Sequence, residues 1–432
     1  MRRRHPDEGI EKKGKAIVTR RTPSPPLPPN LPEEIVEEIL LTHPASSLVQ
    51  LRSVCRSWRT LISSSRFTNE HLRRSIFLDP TLTQPRIAYY SLYKYPTIGV
   101  FSVQSLLDNK HKPTNVASFK APRHFWIYGS CNGLLCLAHE TDTGVMNCIL
   151  WNPCTGSTSE SAPQITGGFG FYGFGYDHIS DRYKLIGYLQ ESRSNKSTII
   201  YTFAPNSSWR TIPAEDDVDF TPLGHPPDEC PIYDCNNMEG VFVSNTLNWI
   251  VDRYRGYDVV LSFDLGTETY CYLSLPERDP EEEDDPCLSV ASVLRDCLAV
   301  CFEHKRTHWA VWLMKEYGVT QSWTRLALIP HPVGYNPNVS HYLRPKYLFE
   351  NDVLLAISPS SKIVLYNLND DNKDGPLVPM IDGSGDGMES RSVNALSKGF
   401  IVYHESLVSP SHYGIASKRP LIKPNKPTTT VS

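Results

Sequence analysis

The sequence predicts a small all-α module followed by an all-β propeller. Three observations predict it. Apolar residues with helical periodicity occur in one stretch only, about residues 30 to 75. From about residue 76 onward the pattern changes to short apolar strands separated by polar turns. Those strands recur as a two-part unit at a nearly constant period, which is the mark of a repeat architecture.

Composition narrows the possibilities before any motif is considered. The chain has 432 residues, enough for two or three domains. Lys and Arg total 43 against 47 Asp and Glu, a net charge of −4, which argues against a protein built to coat nucleic acid. Apolar content is 40%, which rules out wholesale disorder. The 35 prolines are barred from helix interiors and central strands, so the elements must be short. Nowhere do 18 apolar residues run together, and the start has no signal-peptide core, so a soluble, non-secreted protein of the cytoplasm or nucleus is expected. The 11 scattered cysteines then read as free thiols, and the sequons at Asn195, Asn206 and Asn338 as unused.

Residues 1–28 are basic and end in TPSPPLPP, a segment expected to be a disordered tail. The helical module, 29–75, should start with Pro32 at the first helical position and Asn30 or Leu31 near the cap. Glu33 and Glu34 suit the positive end of that helix. Ile35 and Ile39 share a face that Leu40 widens, and Thr42-His43-Pro44 stops the helix. A second stretch carries Leu48, Leu51, Val54, Cys55, Trp58, Leu61 and Ile62 at spacings of one, three or four, and a short third piece, FTNEHLRRS, follows. So many large apolar residues exceed what one three-helix core can hide, and the surplus argues for a partner surface.

Residues 76–412 carry the repeats, and 413–432 form a second loose tail. The first part of each unit is an alternating strand pair, as in GSCNGLLCL (129–137) and GVFVSNTLNWIVD (240–252). The second part is a strand, a polar turn and a closing strand. Its anchors Trp151, Phe203, Phe263, Leu313 and Tyr366 lie about 50 to 60 residues apart, the kelch size class of four-stranded blade. A degenerate unit from Arg86 to Phe119 brings the expected count to six. Such an array must close into a ring, and the last strand, within 399–407, is placed to complete the first blade.

Residues 31–67, LPEEIVEEILLTHPASSLVQLRSVCRSWRTLISSSRF, resemble the F-box. Downstream, GSCNGLLCL, WNPCTG, GFGYDHISDRYKL, SWRTIP, LSFDLGTETYCYLSLP and WLMKEYGVTQSWTRL are similar to the kelch-like F-box-associated domain of plant F-box proteins. The resemblance implies the substrate-recognition subunit of an SCF-type ubiquitin ligase. Its F-box binds a Skp-type adaptor and, through it, cullin. Its propeller holds an unknown target protein for ubiquitination and degradation. It also implies an adaptor-binding set: Leu31, Pro32, Ile35, Ile39, Leu40, Pro44, Leu48, Leu51, Val54, Cys55 and Trp58. His43 stands where the family pattern usually has leucine, so the apolar contribution there should be weaker, and Thr42, Ser46 and Gln50 stand where it often has basic residues.

The remaining motifs read as structural. Arg52, Arg56 and Arg59 share a helical face, a solvated basic face rather than a DNA reader. Gly168-x-Gly170-x-x-Gly173 has dinucleotide spacing, but strand residues rather than a helix follow it. Asp370-x-Asn372-x-Asp374-Gly375 opens like a calcium loop yet places Ile381 at the twelfth position. Cys297, Cys301, His304 and His308 read as a hairpin rather than a zinc site. No catalytic set can be named, so no enzyme activity, metal or cofactor is expected, nor any nucleic-acid or membrane partner. The acidic run at 277–286 and the proline-rich stretch around 213–231 are candidate target-facing loops. The alternative reading is a propeller enzyme or carbohydrate-binding lectin capped by the N-terminal helices.

Overall fold

The structure is a computed structural model. It describes residues 31–91, 97–108, 115–120, 125–140, 145–166, 171–190, 196–212, 239–254, 257–277, 289–331, 343–359, 363–369 and 400–410. The two expected tails, the calcium-like run and both candidate target loops lie outside these residues, apart from Glu277 at the edge of the acidic run.

Four helices form the N-terminal module: α1 (Glu33–Leu41), α2 (Ala45–Leu51), α3 (Arg56–Ile62) and α4 (Ser65–Phe77). Pro32 is the cap of α1 rather than its first residue. Its carbonyl accepts the amides of Ile35 and Val36, and its extended ψ of 144° keeps it outside the helix. The stretch expected as a single second helix is two. Cys55, with φ −155° and ψ 170°, breaks it, and its Sγ accepts the Trp58 amide as the cap of α3. No proline or glycine marks this break, and a cysteine cap is uncommon, so the periodicity runs through it unmarked. The third piece is longer than expected, because the Ser64 hydroxyl caps thirteen residues of α4.

Downstream the chain forms antiparallel units in succession. The first contains β1 (Pro85–Ser91), β2 (Thr97–Ser102) and β3 (Asn115–Lys120), with a short helix, α5 (Gln104–Asp108), between the last two. The second has β4 (Phe125–Cys131), β5 (Leu134–Glu140), β6 (Val145–Trp151) and β7 (Ile165–Thr166). Then come β8 (Phe171–Asp177), β9 (Arg182–Gln190), β10 (Lys196–Thr202) and β11 (Arg210–Ile212). They are joined edge to edge with β12 (Glu239–Val243), β13 (Thr246–Tyr254), β14 (Tyr257–Asp264) and β15 (Thr269–Ser274) by a short parallel pairing of β8 with β12. The series continues with β16 (Ser289–Leu294), β17 (Cys297–His304), β18 (His308–Met314) and β19 (Trp323–Pro330). It ends with β20 (Arg344–Leu348), β21 (Val353–Ile357) and β22 (Ile363–Asn367). The last strand, β23 (Phe400–His404), returns to pair antiparallel with β1 and completes the first unit.

Apolar clusters lie between successive units and close the ring. Leu137 and Trp151 pack with Ala88 and Val100, while Leu134 and Leu150 pack with Phe174 and Leu185. Ile200 meets Phe263, Val260 meets Val300, Val311 meets Leu354, and Leu355 meets Ile87 of the first unit. A unit that buries both faces only against its neighbours is the propeller principle. Gly173 belongs to this packing. A Cβ there would lie 2.9–3.0 Å from Leu247 and Trp249, so the dinucleotide-like glycine allows two units to approach rather than cradling a phosphate. Cys297 and Cys301 are four residues apart on β17, about 13 Å, too far for one zinc ion.

Candidate protein-docking site

Helix α1 has two apolar sides. Leu40 and Leu41 turn inward, 1% and 2% exposed, and build the module core with Ala45, Leu48, Ile62 and Phe67. Ile35 and Ile39, four residues apart, lie on the outer side with 48% and 46% of their surface open, and Leu31 just upstream is 60% open. An amphipathic helix in a self-sufficient module presents polar residues outward. Here the outward stripe is apolar.

The expected set therefore divides. Leu31, Pro32, Ile35, Ile39, Val54 and Cys55 are exposed, while Pro44, Leu51 and Trp58 are half-buried. Leu40 and Leu48 are buried and support the surface from inside rather than forming it. Val54 projects from the turn between α2 and α3, held by its amide donating to the Leu51 carbonyl. Beside it the Cys55 thiol is drawn below its ordinary range by the Ser57 hydroxyl and then the Trp58 amide. The expected solvated basic face is only partly so. Arg59 donates to the Arg52 carbonyl at 3.3 Å, and Arg52 reaches the Ile62 carbonyl at 3.5 Å, so two of the three arginines brace the helices.

His43, the departure from the family pattern, closes the end of α1. Its Nδ1 donates to the Ile39 carbonyl at 2.8 Å, alongside the Thr42 hydroxyl at 2.8 Å. Its own carbonyl accepts Nε2–H of the buried His71 at 2.9 Å. Burial keeps His71 below its ordinary range and therefore neutral, which suits a donor to a carbonyl. Ion pairs tie α1 to α4: Glu37 to Arg66, and Glu38 to Arg74 at 3.0 Å. Glu70, held by hydrogen bonds from Arg73 and Arg74, has its pKa lowered to about 2.

No local pattern marks how the module sits on the propeller. Leu407, just past β23, is 2% exposed inside the module core, and Cys154 packs against the same core. Leu72 of α4 packs in turn against the propeller. Asn152 fixes this junction. Fully buried, it donates to the Ser406 and Val408 carbonyls at 3.0 and 2.7 Å and accepts the amides of Cys154 and Thr155. The turn Asn132-Gly133, both with positive φ, passes beneath. A Cβ on Gly133 would lie 2.3 Å from the Ser406 hydroxyl. Arg86 and Glu405 form a buried ion pair at 2.8 Å alongside. Part of the apolar surplus of the helices is thus covered by the chain's own propeller. A further exposed run, Ile76, Phe77 and Leu78, ends α4 and also escaped sequence reading.

Comparison with known proteins bears on both regions. A family profile for the F-box domain matches residues 28–70, and one for the F-box associated beta propeller domain matches residues 89–410. An F-box/kelch-repeat protein of Arabidopsis thaliana is 26% identical over 399 residues, covering 89% of this chain and 97% of its own. An F-box protein of the same plant is 32% identical over 343 residues, 73% of this chain and 81% of its own. F-box protein CPR1, also from Arabidopsis thaliana, is 26% identical, with 78% and 80% covered. Among solved structures, TolB from Acinetobacter baumannii superposes with a TM-score of 0.36 at 13% identity over 70% of this chain and 69% of its own, a likeness too slight to bear on function.

Proposed function

Because the chain belongs to the F-box proteins that carry an F-box associated β-propeller domain, we propose that it is the substrate-recognition subunit of an SCF-type ubiquitin ligase. In this reading residues 29–75 dock on a Skp-type adaptor and through it on cullin, and residues 76–412, six blades in our reading, hold a target protein. The tails at 1–28 and 413–432 take no part. The chain contributes no catalytic residue. It acts by proximity, holding target lysines at high effective concentration near a charged conjugating enzyme in the cytoplasm or nucleus. Among the described residues no helix is long and apolar enough to cross a membrane.

The observation that carries this reading is the outward stripe of Leu31, Ile35 and Ile39 on a helix whose other side already fills a core. A few residues carry most of the binding energy of an interface, and apolar residues at i and i+4 on one helix face suit docking into a groove. Val54 and the half-buried Pro44, Leu51 and Trp58 extend the proposed surface, and Leu40 and Leu48 hold it in shape. The target face is the propeller end away from the helices. Pro85, which follows the module, pairs with His404 at the end of β23, so the helices attach where that strand finishes. Strand β11 finishes and β12 begins at the opposite end.

Co-expression with a Skp-type adaptor followed by size-exclusion chromatography tests the reading. The wild-type chain is expected to co-elute, and Ile35→Asp to elute alone with an unchanged propeller melting transition. A wild-type chain that elutes alone overturns the proposal.

A further inference from the structure

The inner strands β4, β8, β12, β16, β20 and β23 surround a central cavity of about 530 Å³, within the range of small-ligand sites. The end of this cavity away from the helices concentrates charge. Glu239 opens β12 there, and Arg344 and Lys346 lie at the start of β20. Lys346 faces the cavity because of a local irregularity. Pro345 pairs with Ala356 and Tyr347 with Leu355, so Lys346 is the extra residue of a β-bulge. Bulges of this kind disrupt ladder pairing locally and re-aim a side chain, here the Lys346 ammonium into the cavity.

Among the described residues neither Lys346 nor Glu239 makes a hydrogen bond or ion pair, although each feels the other's charge. Burial lowers the Lys346 ammonium and raises the Glu239 carboxyl. At the helix end, by contrast, Arg295 is already paired with Asp352 at 2.8 Å, with Asp296 beside it. Among the described residues the Lys346 ammonium therefore stands at the outer mouth without a hydrogen-bonded or ion-paired partner, beside the Arg344 guanidinium, with Tyr172, Val290 and Ile401 supplying apolar wall.

From this geometry we infer that the outer mouth of the propeller channel binds an anionic group, carboxylate or phosphate, between Lys346 and Arg344, on a ligand whose hydroxyl or amine donates to Glu239. The anionic group belongs either to a free small acid or to an acidic side chain presented by another protein. The site stands independently of the receptor reading.

Calorimetric titration of the full chain tests it, with inorganic phosphate and citrate as free acids and a blocked Ala-Glu-Ala peptide as the side-chain source. At least one probe is expected to saturate at or below about 1 mM. Lys346→Met should weaken that probe by about tenfold or more, the loss of a charge-assisted contact. Arg344→Gln should weaken it too, and serves if Lys346→Met fails to fold. Glu239→Gln should tighten phosphate, because a facing negative charge is removed. Saturation by phosphate or citrate alone identifies a free acid as the ligand, and by the peptide alone a side chain. Absence of saturation with all three probes overturns the inference. So does a change of less than about twofold in both Lys346→Met and Arg344→Gln.

Discussion

Substitutions on the two sides of helix α1 should have opposite consequences. Fully burying an isoleucine contributes about 1.5–3 kcal/mol. Ile35 and Ile39 keep 48% and 46% of their surface open, so about half of that remains for a partner at each position. Allowing for the methyl that alanine retains, Ile35→Ala with Ile39→Ala should cost about 1–2.5 kcal/mol of adaptor binding, a rise in Kd of roughly five- to sixtyfold. Stability should fall by less than in Leu40→Ala, because only about half of each side chain is covered in the free chain and alanine is the better helix former. Leu40→Ala lies one residue away but removes a side chain that is 1% exposed, and should cost about 2–5 kcal/mol of folding stability through the cavity it leaves. Calorimetric titration with the adaptor, paired with thermal unfolding of each variant, separates the two. If the double variant bound as tightly as wild type, or melted as early as Leu40→Ala, the outward stripe would not be a docking surface.

Three further outcomes follow from the junction and the buried histidine. Asn152→Ala leaves two carbonyls and two amides without their buried partner, and at about 1 kcal/mol for each of its four hydrogen bonds should lose roughly 4 kcal/mol, read by urea denaturation. Gly133→Ala should also destabilise, because it meets Ser406 and carries φ +79°, whereas Gly156→Ala, with nothing within 4 Å, faces only its φ of +73° and should lose less in the same assay. His71 has a lowered pKa in the fold, so the unfolded chain takes up the proton first as pH falls. Its stabilisation is full above about pH 6.5 and is lost as pH drops through the lower folded value. His331 and His404 are lowered by burial too, so the slope belonging to His71 is the part of the melting-temperature change between pH 7.5 and 5.5 that His71→Gln abolishes. Equal slopes in wild type and variant would refute the assignment.

Period and alternation were legible because they follow from packing on one face at a time. The propeller strands and the return of β23 to β1 could be read from them. The outward set Leu31, Ile35 and Ile39 was legible for the same reason, yet periodicity cannot separate two apolar sides of one helix. Leu40 therefore read as part of the face of Ile35 and Ile39 when it lies in the core. The break at Cys55 was hidden because it depends on a thiol cap, and the position of Pro32 because cap and first residue differ by a single ψ. Leu407 and Asn152 lie hundreds of residues from the groups they hold, a distance that no local pattern spans. Lys346 was missed because a bulge is visible only once both strands are paired.

The seating of Leu407 among the module's helices has a consequence for synthesis. More than three hundred codons separate Phe67 from the leucine that completes its core. At roughly 5–20 residues per second, the helices leave the ribosome tens of seconds before that side chain does. A product released early carries an F-box whose interior stays open. If the module docks as proposed, prematurely ended chains are poorly equipped to compete with finished ones for scaffold.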